Sequence, residues 1–275
     1  MSDLNRAGHA RDCVLAAIDL GSSSRRVLLH AAGLARLFSA TLKVLHVVGS
    51  DVSLEQRQRV LDFCATQGPY EVDLHDDDIV LRTGFVSEAI YREATAHQAR
   101  LVVMGSRGHG KLATFLLGSS TQAVLRNAPA PILLVPPVDL DIVDLADRAR
   151  LSCGPVLAAV DLAEDNDHQL RVAGELAQLA GQPLFLLTVT KRRLTDRLSS
   201  RLLRERAQLA AVLPRAVIVR HGEVAREIAR CAVAERTGLV VMGLRGKLRG
   251  HAGAIASAVL SANSAFVLAV PEVSS

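Results

Sequence analysis

From Cys13 onward, short unbroken apolar runs alternate with longer stretches in which apolar residues recur every three or four positions. Runs of the first kind suit strands buried on both faces, and stretches of the second kind suit amphipathic helices. Residues 13–19 read as a first strand ending in the carboxylate of Asp19, after which Ser22 to Ser24 offer N-caps for a helix reaching about residue 39. Residues 41–48 read as the second strand. Leu54, Val60, Leu61 and Cys64 fall on or near one face of a helix over 53–67. Strands are predicted again at 79–81, 101–104 and 132–135, with helices over 86–97 and 119–127 between them. This alternation implies βαβ units, a mostly parallel sheet and right-handed crossovers. Ligands on such sheets sit beyond the carboxyl ends of the strands, where the strand order reverses. Asp19, Val47 and Gly105 lie at or just past those ends.

The pattern occurs twice. LVVMGSRG (101–108) returns as LVVMGLRG (239–246), VLAAIDL (14–20) as VLAAVDL (156–162), and RTGFVSEAI (82–90) as RHGEVAREI (220–228), in the same order and at similar spacing. A period this long marks two tandem domains rather than a solenoid. Pro136–Pro137 closes the first copy and Gly154–Pro155 opens the second. The expected division is a first domain over 1–137, a linker over 138–153 and a second domain over 154–275. The linker's apolar residues suit a short helix or an ordered connection better than a flexible tether.

Composition narrows the picture. Of 275 residues, 49% are hydrophobic and only 3% aromatic, with no Trp, so the core must be built from Val, Leu, Ile and Ala. The net charge of +4 is mildly basic. No base-stacking aromatic pattern accompanies it, which argues against a nucleic-acid partner. The four cysteines form no C-x-x-C pair, so they read as reduced, buried thiols rather than zinc ligands or a redox pair. The N-terminus carries no apolar signal core, and no apolar run reaches the ~18 residues that span a bilayer. The expectation is a soluble, cytoplasmic protein without a membrane partner.

The candidate chemistry lies in MGSRGHGKLATFLLGSST (104–121). GSRGHGK fits the opening of a Walker A loop, but Leu112 stands where that loop needs a magnesium-binding hydroxyl, and no helix starts there. A different cradle accommodates the residues. Gly105 and Gly108 can turn backbone amides toward one point as an anion nest, and Gly118–Ser119 opens a helix whose free amides and positive dipole end suit phosphate. The Ser119 hydroxyl would cap that helix or donate to a phosphate oxygen. Asp19 has two readings: a carboxylate for a nucleoside hydroxyl or amino group, or a cap for the helix that follows it. Arg107, His109 and Lys111 stand in the intervening arch.

Gly105-x2-Gly108-x9-Gly118-Ser119 resembles the ATP-binding signature of the universal stress proteins. The opening strand with its Asp, VLHVV (44–48) and VLRNAPAPILLV (124–135) extend the resemblance over nearly the whole first copy and, more loosely, the second. The chain is similar to the tandem members of that family. The resemblance implies two Rossmann-like, adenine nucleotide alpha hydrolase-like α/β domains, each a five-stranded parallel sheet with helices on both faces. It also implies that Asp19 and Val47 contact the adenosine of ATP. Met104, Gly105, Gly108, Gly118, Ser119 and Ser120 would complete the site around the phosphates, with or without magnesium. Pairing of the two copies as an internal pseudo-dimer, and a further homodimer, are implied too.

The second copy departs from the signature. It keeps Asp161, Gly243 and Gly246, but the arch before Gly253–Ala254 is three residues shorter and the helix-start hydroxyl is lost. Its site reads as degenerate, with an alternative in which Lys247, Arg249 and main-chain amides still serve. The basic run 191–206, with seven positive and two negative side chains, reads as a solvated helix with Leu194, Leu198 and Leu202 inward rather than as a docking face. The acidic run 76–78 reads as a solvated loop, and His46 as a satisfied strand residue. No nucleophile paired with a base is recognised. The expected function is an ATP-binding stress-response or regulatory protein with little or no turnover. The alternatives are a slow ATPase or self-phosphorylating enzyme, and a nucleotide-free dimerisation scaffold.

Overall fold

A computed structural model of the chain describes residues 12–49, 52–67, 74–106, 117–138, 140–144, 150–190, 196–244, 246–262 and 265–271. They fall into two compact units that divide between Arg150 and Leu151.

The first unit runs β1 (Cys13–Ile18), α1 (Ser24–Leu37), β2 (Thr41–Val48), α2 (Leu54–Gln67), β3 (Ile79–Thr83), α3 (Val86–Ala96), β4 (Ala99–Gly105), α4 (Ser119–Arg126) and β5 (Ile132–Val135). All five strands are parallel, in the order β3-β2-β1-β4-β5. The order reverses between β1 and β4. The inner strands β1 and β4 are apolar nearly throughout because helices cover both faces, α1 with α2 and α3 with α4. Helix α1 buries Val27, Leu28, Ala31, Ala32, Leu34 and Ala35, together with the polar Ser24 and His30.

Two short strands follow, β6 (Val143–Asp144) and β7 (Arg150–Leu151). The segment before β6 is fastened to α1. Arg26 donates to the carbonyls of Pro136 (2.7 Å) and Leu140, and the Ile142 N–H donates to the buried Nε2 of His30 at 3.3 Å. His30 Nδ1–H donates to Arg26 O at 2.6 Å, which fixes a neutral imidazole.

The second unit repeats the plan with β8 (Val156–Ala159), α5 (Asp167–Leu179), β9 (Leu184–Thr190), α6 (Asp196–Leu209), β10 (Ala216–His221), α7 (Val224–Ala234), β11 (Leu239–Gly243), α8 (Gly246–Ser261) and β12 (Phe266–Val270). Its sheet order is β10-β9-β8-β11-β12, again all parallel. Here the chain entering β8 and β11 approaches backbone to backbone. A Cβ on Gly238 would stand 2.4 Å from the Gly154 nitrogen. At the equivalent positions of the first unit an Arg100–Asp12 ion pair (2.8 Å) takes their place.

Several expectations need correction. Leu54 does not join the buried face of α2: it is exposed at the helix start, and Val60 and Cys64 carry the packing. In α6 the inward stripe is Ser199, Leu203 and Ala207, one position on from the predicted leucines. Leu198 is exposed and Leu202 half-buried, while Leu194 lies outside the described residues. Residues Asp76–Asp78 form a 3-10 turn rather than an open loop, tied by Lys43 Nζ to Asp78 Oδ1 at 3.0 Å. No helix among the described residues is long and apolar enough to cross a membrane.

Candidate functional site

The carboxyl ends of β1, β2 and β4 gather the predicted residues at the point where the strand order reverses. Ala17 of β1 pairs with Met104 of β4, so Asp19, just past β1, and Gly105, the last residue of β4, stand at neighbouring strand ends. Asp19 is half-buried and set by the turn into α1. Its Oδ1 accepts from Gly21 N–H and from Ser24 Oγ–H, both at 2.9 Å, and Ser24 Oγ accepts the Asp19 N–H at 3.2 Å. The N-cap of α1 is Ser23, and the Asp19 carboxylate braces the turn ahead of it. Between Asp19 and Gly21, Leu20 adopts φ 61°, a left-handed conformation that side chains enter at a cost. Its counterpart Leu162 does not share it.

Val47, next to last in β2, is half-buried and pairs with Arg82 of β3. The Arg82 guanidinium is held in bidentate fashion by the buried Glu93, at 2.7 and 3.1 Å. Met104 is buried in the sheet, so only its backbone is available at the strand end. Gly105 closes β4 opposite Val135.

The two ends of the glycine loop are clamped together. The buried Ser106 donates its N–H to Val135 O at 3.1 Å, and its carbonyl accepts the Gly118 N–H at 3.2 Å. The Thr121 hydroxyl leans on the carbonyls of Gly105 and Ser106, at 3.4 and 3.5 Å. The end of β4 and the start of α4 are thus side by side. Gly118 is the N-cap of α4, with φ −59°, so its glycine is not required by a left-handed turn. Its own amide is spent on Ser106. The amides of Ser119, Ser120 and Thr121 precede the first intrahelical bond, Gln122 N–H to Gly118 O, and have no partner within the helix. Ser119 is exposed and Ser120 half-exposed; as the first helical residue, Ser119 is not the cap. Gly108, with Arg107, His109 and Lys111, lies outside the described residues. Sequence reasoning missed the clamp. Its only signal was a small polar residue on each side of the loop, Ser106 and Thr121.

The donor set fits the phosphates of a nucleotide: backbone amides and hydroxyls at a helix start, beside glycine, with the carboxylate of Asp19 one strand away for a hydroxyl or amino group. Among the described residues no cluster of three or more His, Cys, Asp or Glu is placed to hold a metal ion.

The second unit differs at each of these points. The segment predicted to be a shortened arch is helix: α8 runs unbroken from Gly246 to Ser261, so Gly253 and Ala254 sit inside it with their amides in helical bonds. Helix α8 opens at Gly246 itself, whereas α4 of the first unit opens at Ser119. Asp161 Oδ1 accepts only the Ala163 N–H among the bonds described for it. The buried Gln169 of α5, in the place of Val27, bridges the carbonyls of Ala159 and Val241 at 2.8 and 3.1 Å, across the strand reversal. A Cβ on Gly243 would meet its Oε1 at 2.8 Å.

Comparison with known proteins decides the family. The universal stress protein family model matches residues 11–136. Universal stress protein A homolog 1 of Coxiella burnetii is 30% identical over 141 residues, covering 44% of this chain and 94% of that protein. The chain belongs to the universal stress protein family. A universal stress protein of Thermus aquaticus is 44% identical over 59 residues, 22% of this chain and 43% of that protein. The universal stress protein Slr1230 of Synechocystis is 28% identical over 120 residues, 44% of this chain and 41% of that protein. The chain thus spans less than half the length of these two relatives. The crystal structure of a universal stress protein from Archaeoglobus fulgidus shares the fold over 94% of this chain and 98% of its own, with a TM-score of 0.69 at 20% identity. The family-model match falls on the repeat that keeps the universal stress protein loop, the one with the Ser106–Gly118 clamp.

Proposed function

We propose that the first unit binds ATP, with or without its magnesium, and that this universal stress protein acts as a nucleotide-responsive regulatory protein with little or no turnover. The observation that carries the reading is the clamp between Ser106 and Gly118, which sets the free amides of α4 beside the end of β4 at the strand reversal. Asp19 and the β2 end at Val47 take the nucleoside, and Gly105, Gly108, Gly118, Ser119 and Ser120 take the phosphates. The second unit, with α8 unbroken and Gln169 across its crevice, is the non-binding partner. The two units act as a pseudo-dimer, and two chains as a homodimer.

Occupancy would report on the energy state of the cell through stability: ligand at about 100 times its dissociation constant adds about 2.7 kcal/mol to the folded state. The test is to denature the purified protein and identify the small molecules it releases by mass spectrometry. Adenine nucleotide is expected from the wild type. None is expected from Gly118→Val with Ser119→Ala, which crowds the loop closure and removes a donor. A wild type that releases none and shows no thermal shift with added ATP contradicts the proposal.

A further inference from the structure

We infer that Phe85, with Leu54 on the other side of the same strand ends, forms the apolar wall on which the nucleobase stacks in the first unit; this rests on the nucleotide reading above and names how the base end is held. The inference comes from comparing the repeats at equivalent positions. Past the carboxyl ends of the neighbouring strands β9 and β10, the second unit is polar and internally bonded. Thr190, the last residue of β9, joins His221, the last of β10, through Oγ1 and Nδ1 at 2.9 Å. His221 Nε2–H meets Asp196 Oδ1, at the first residue of α6, at 2.8 Å. Two residues beyond His221, Glu223 caps α7, its carboxylate accepting the N–H groups of Ala225 (3.0 Å) and Arg226 (2.8 Å).

The first unit places Val48, Thr83, Leu54 and Phe85 at those four positions. Leu54 is 86% exposed and Phe85 79%, and Val52, just before α2, is 49% exposed. Phe85 occupies the N-cap of α3 and makes no side-chain cap bond. At this position the first repeat gives up the helix cap that Glu223 makes in the second, and holds an aromatic ring in water at the ligand end of its sheet. Local rules broken at one place, with no gain inside the fold, mark a position shaped by a ligand.

The placement suits a base. Gly84, at φ 96°, turns the chain out of β3 so that Phe85 stands past the strand end. The neighbouring strand β2 brings the half-buried Val47 to the same end, paired with Arg82 of β3. The Asp196–His221 bond shows that the start of the second helix and the end of the third strand lie within reach in this fold, so Leu54 borders the same ends. Arg82 is tied to Glu93 and does not compete for the ring. Aromatic–base stacking needs only the π-face of the base and is independent of the phosphate nest at α4.

The test titrates the full chain with ATP and, separately, with inorganic tripolyphosphate, in wild type, Phe85→Ser and Phe85→Tyr. Serine removes the ring without adding charge and supplies a good cap, so the fold is not weakened. The inference predicts that Phe85→Ser raises the ATP dissociation constant by about tenfold. Its tripolyphosphate affinity stays at the wild-type value, its ligand-free unfolding midpoint is equal or higher, and Phe85→Tyr retains ATP affinity. Equal ATP affinity in wild type and Phe85→Ser overturns the wall and leaves the nucleotide reading standing. So does an equal loss for both ligands. A wild type that binds no ATP overturns both.

Discussion

At the scale of single residues, His30 shows how an unremarked side chain joins the first unit to the segment that leaves it. It is fully buried, donates from Nδ1 to Arg26 O and accepts the Ile142 N–H at Nε2. Burial is the main force holding its pKa below the ordinary 6.5, opposed by the hydrogen bond to Arg26 O and by the Asp141 carboxylate. The folded protein thus refuses a proton that the unfolded chain accepts. This contribution to stability is fully present above pH 6.5 and shrinks as pH falls from there toward the lowered folded value. His30→Val, which installs the residue of the second repeat, should lower the unfolding midpoint at neutral pH and flatten its dependence below pH 6.5; denaturant titrations across that range read both. The cysteines follow the same logic of burial. Cys64, Cys153 and Cys231 are pushed up to about 11 by desolvation, and Cys13 is raised too. The native protein should therefore resist a thiol reagent at pH 8, whereas the unfolded chain reacts at four sites.

At the scale of elements, the strands were legible because a sheet buried on both faces imposes unbroken apolar runs, and most helices because their periodicity is 3.6. What the sequence did not disclose depended on neighbours. Leucines every four residues in α6 are compatible with two adjacent stripes, and packing against β9 and β10 selects Leu203 and Ala207. Gly253–Ala254 looked like a helix start because Gly118–Ser119 is one. That the second unit's helix already begins at Gly246 could not be read from this likeness. Of the site, Asp19, Val47, Gly105 and the start of α4 could be placed from the motif alone. The clamp at Ser106, the bridge made by Gln169 and the exposed Phe85 are tertiary facts. The Gly154–Gly238 approach is another, and it carries a prediction. Gly238→Ala forces a Cβ to within 2.4 Å of the Gly154 nitrogen, so the chain entering β8 and β11 must separate. A loss of about 1–3 kcal/mol in denaturant unfolding is expected. An unchanged midpoint would show that this approach is not tight in solution.

At the scale of the whole molecule, one chain carries the same strand order twice, and the copies diverge at the carboxyl ends of their strands. The first unit has the Ser106–Gly118 clamp, the left-handed Leu20, the Glu93-held Arg82 and the exposed Phe85. The second has an unbroken α8, a carboxamide across its strand reversal and a polar, self-bonded rim. These differences point the same way, toward one nucleotide per chain rather than two. The most direct test is equilibrium dialysis of the full chain against labelled ATP, followed to saturation. The account predicts one ATP per chain, lost in Gly118→Val with Ser119→Ala and retained in Gly253→Val. Two per chain, none, or an equal loss in both variants would contradict it.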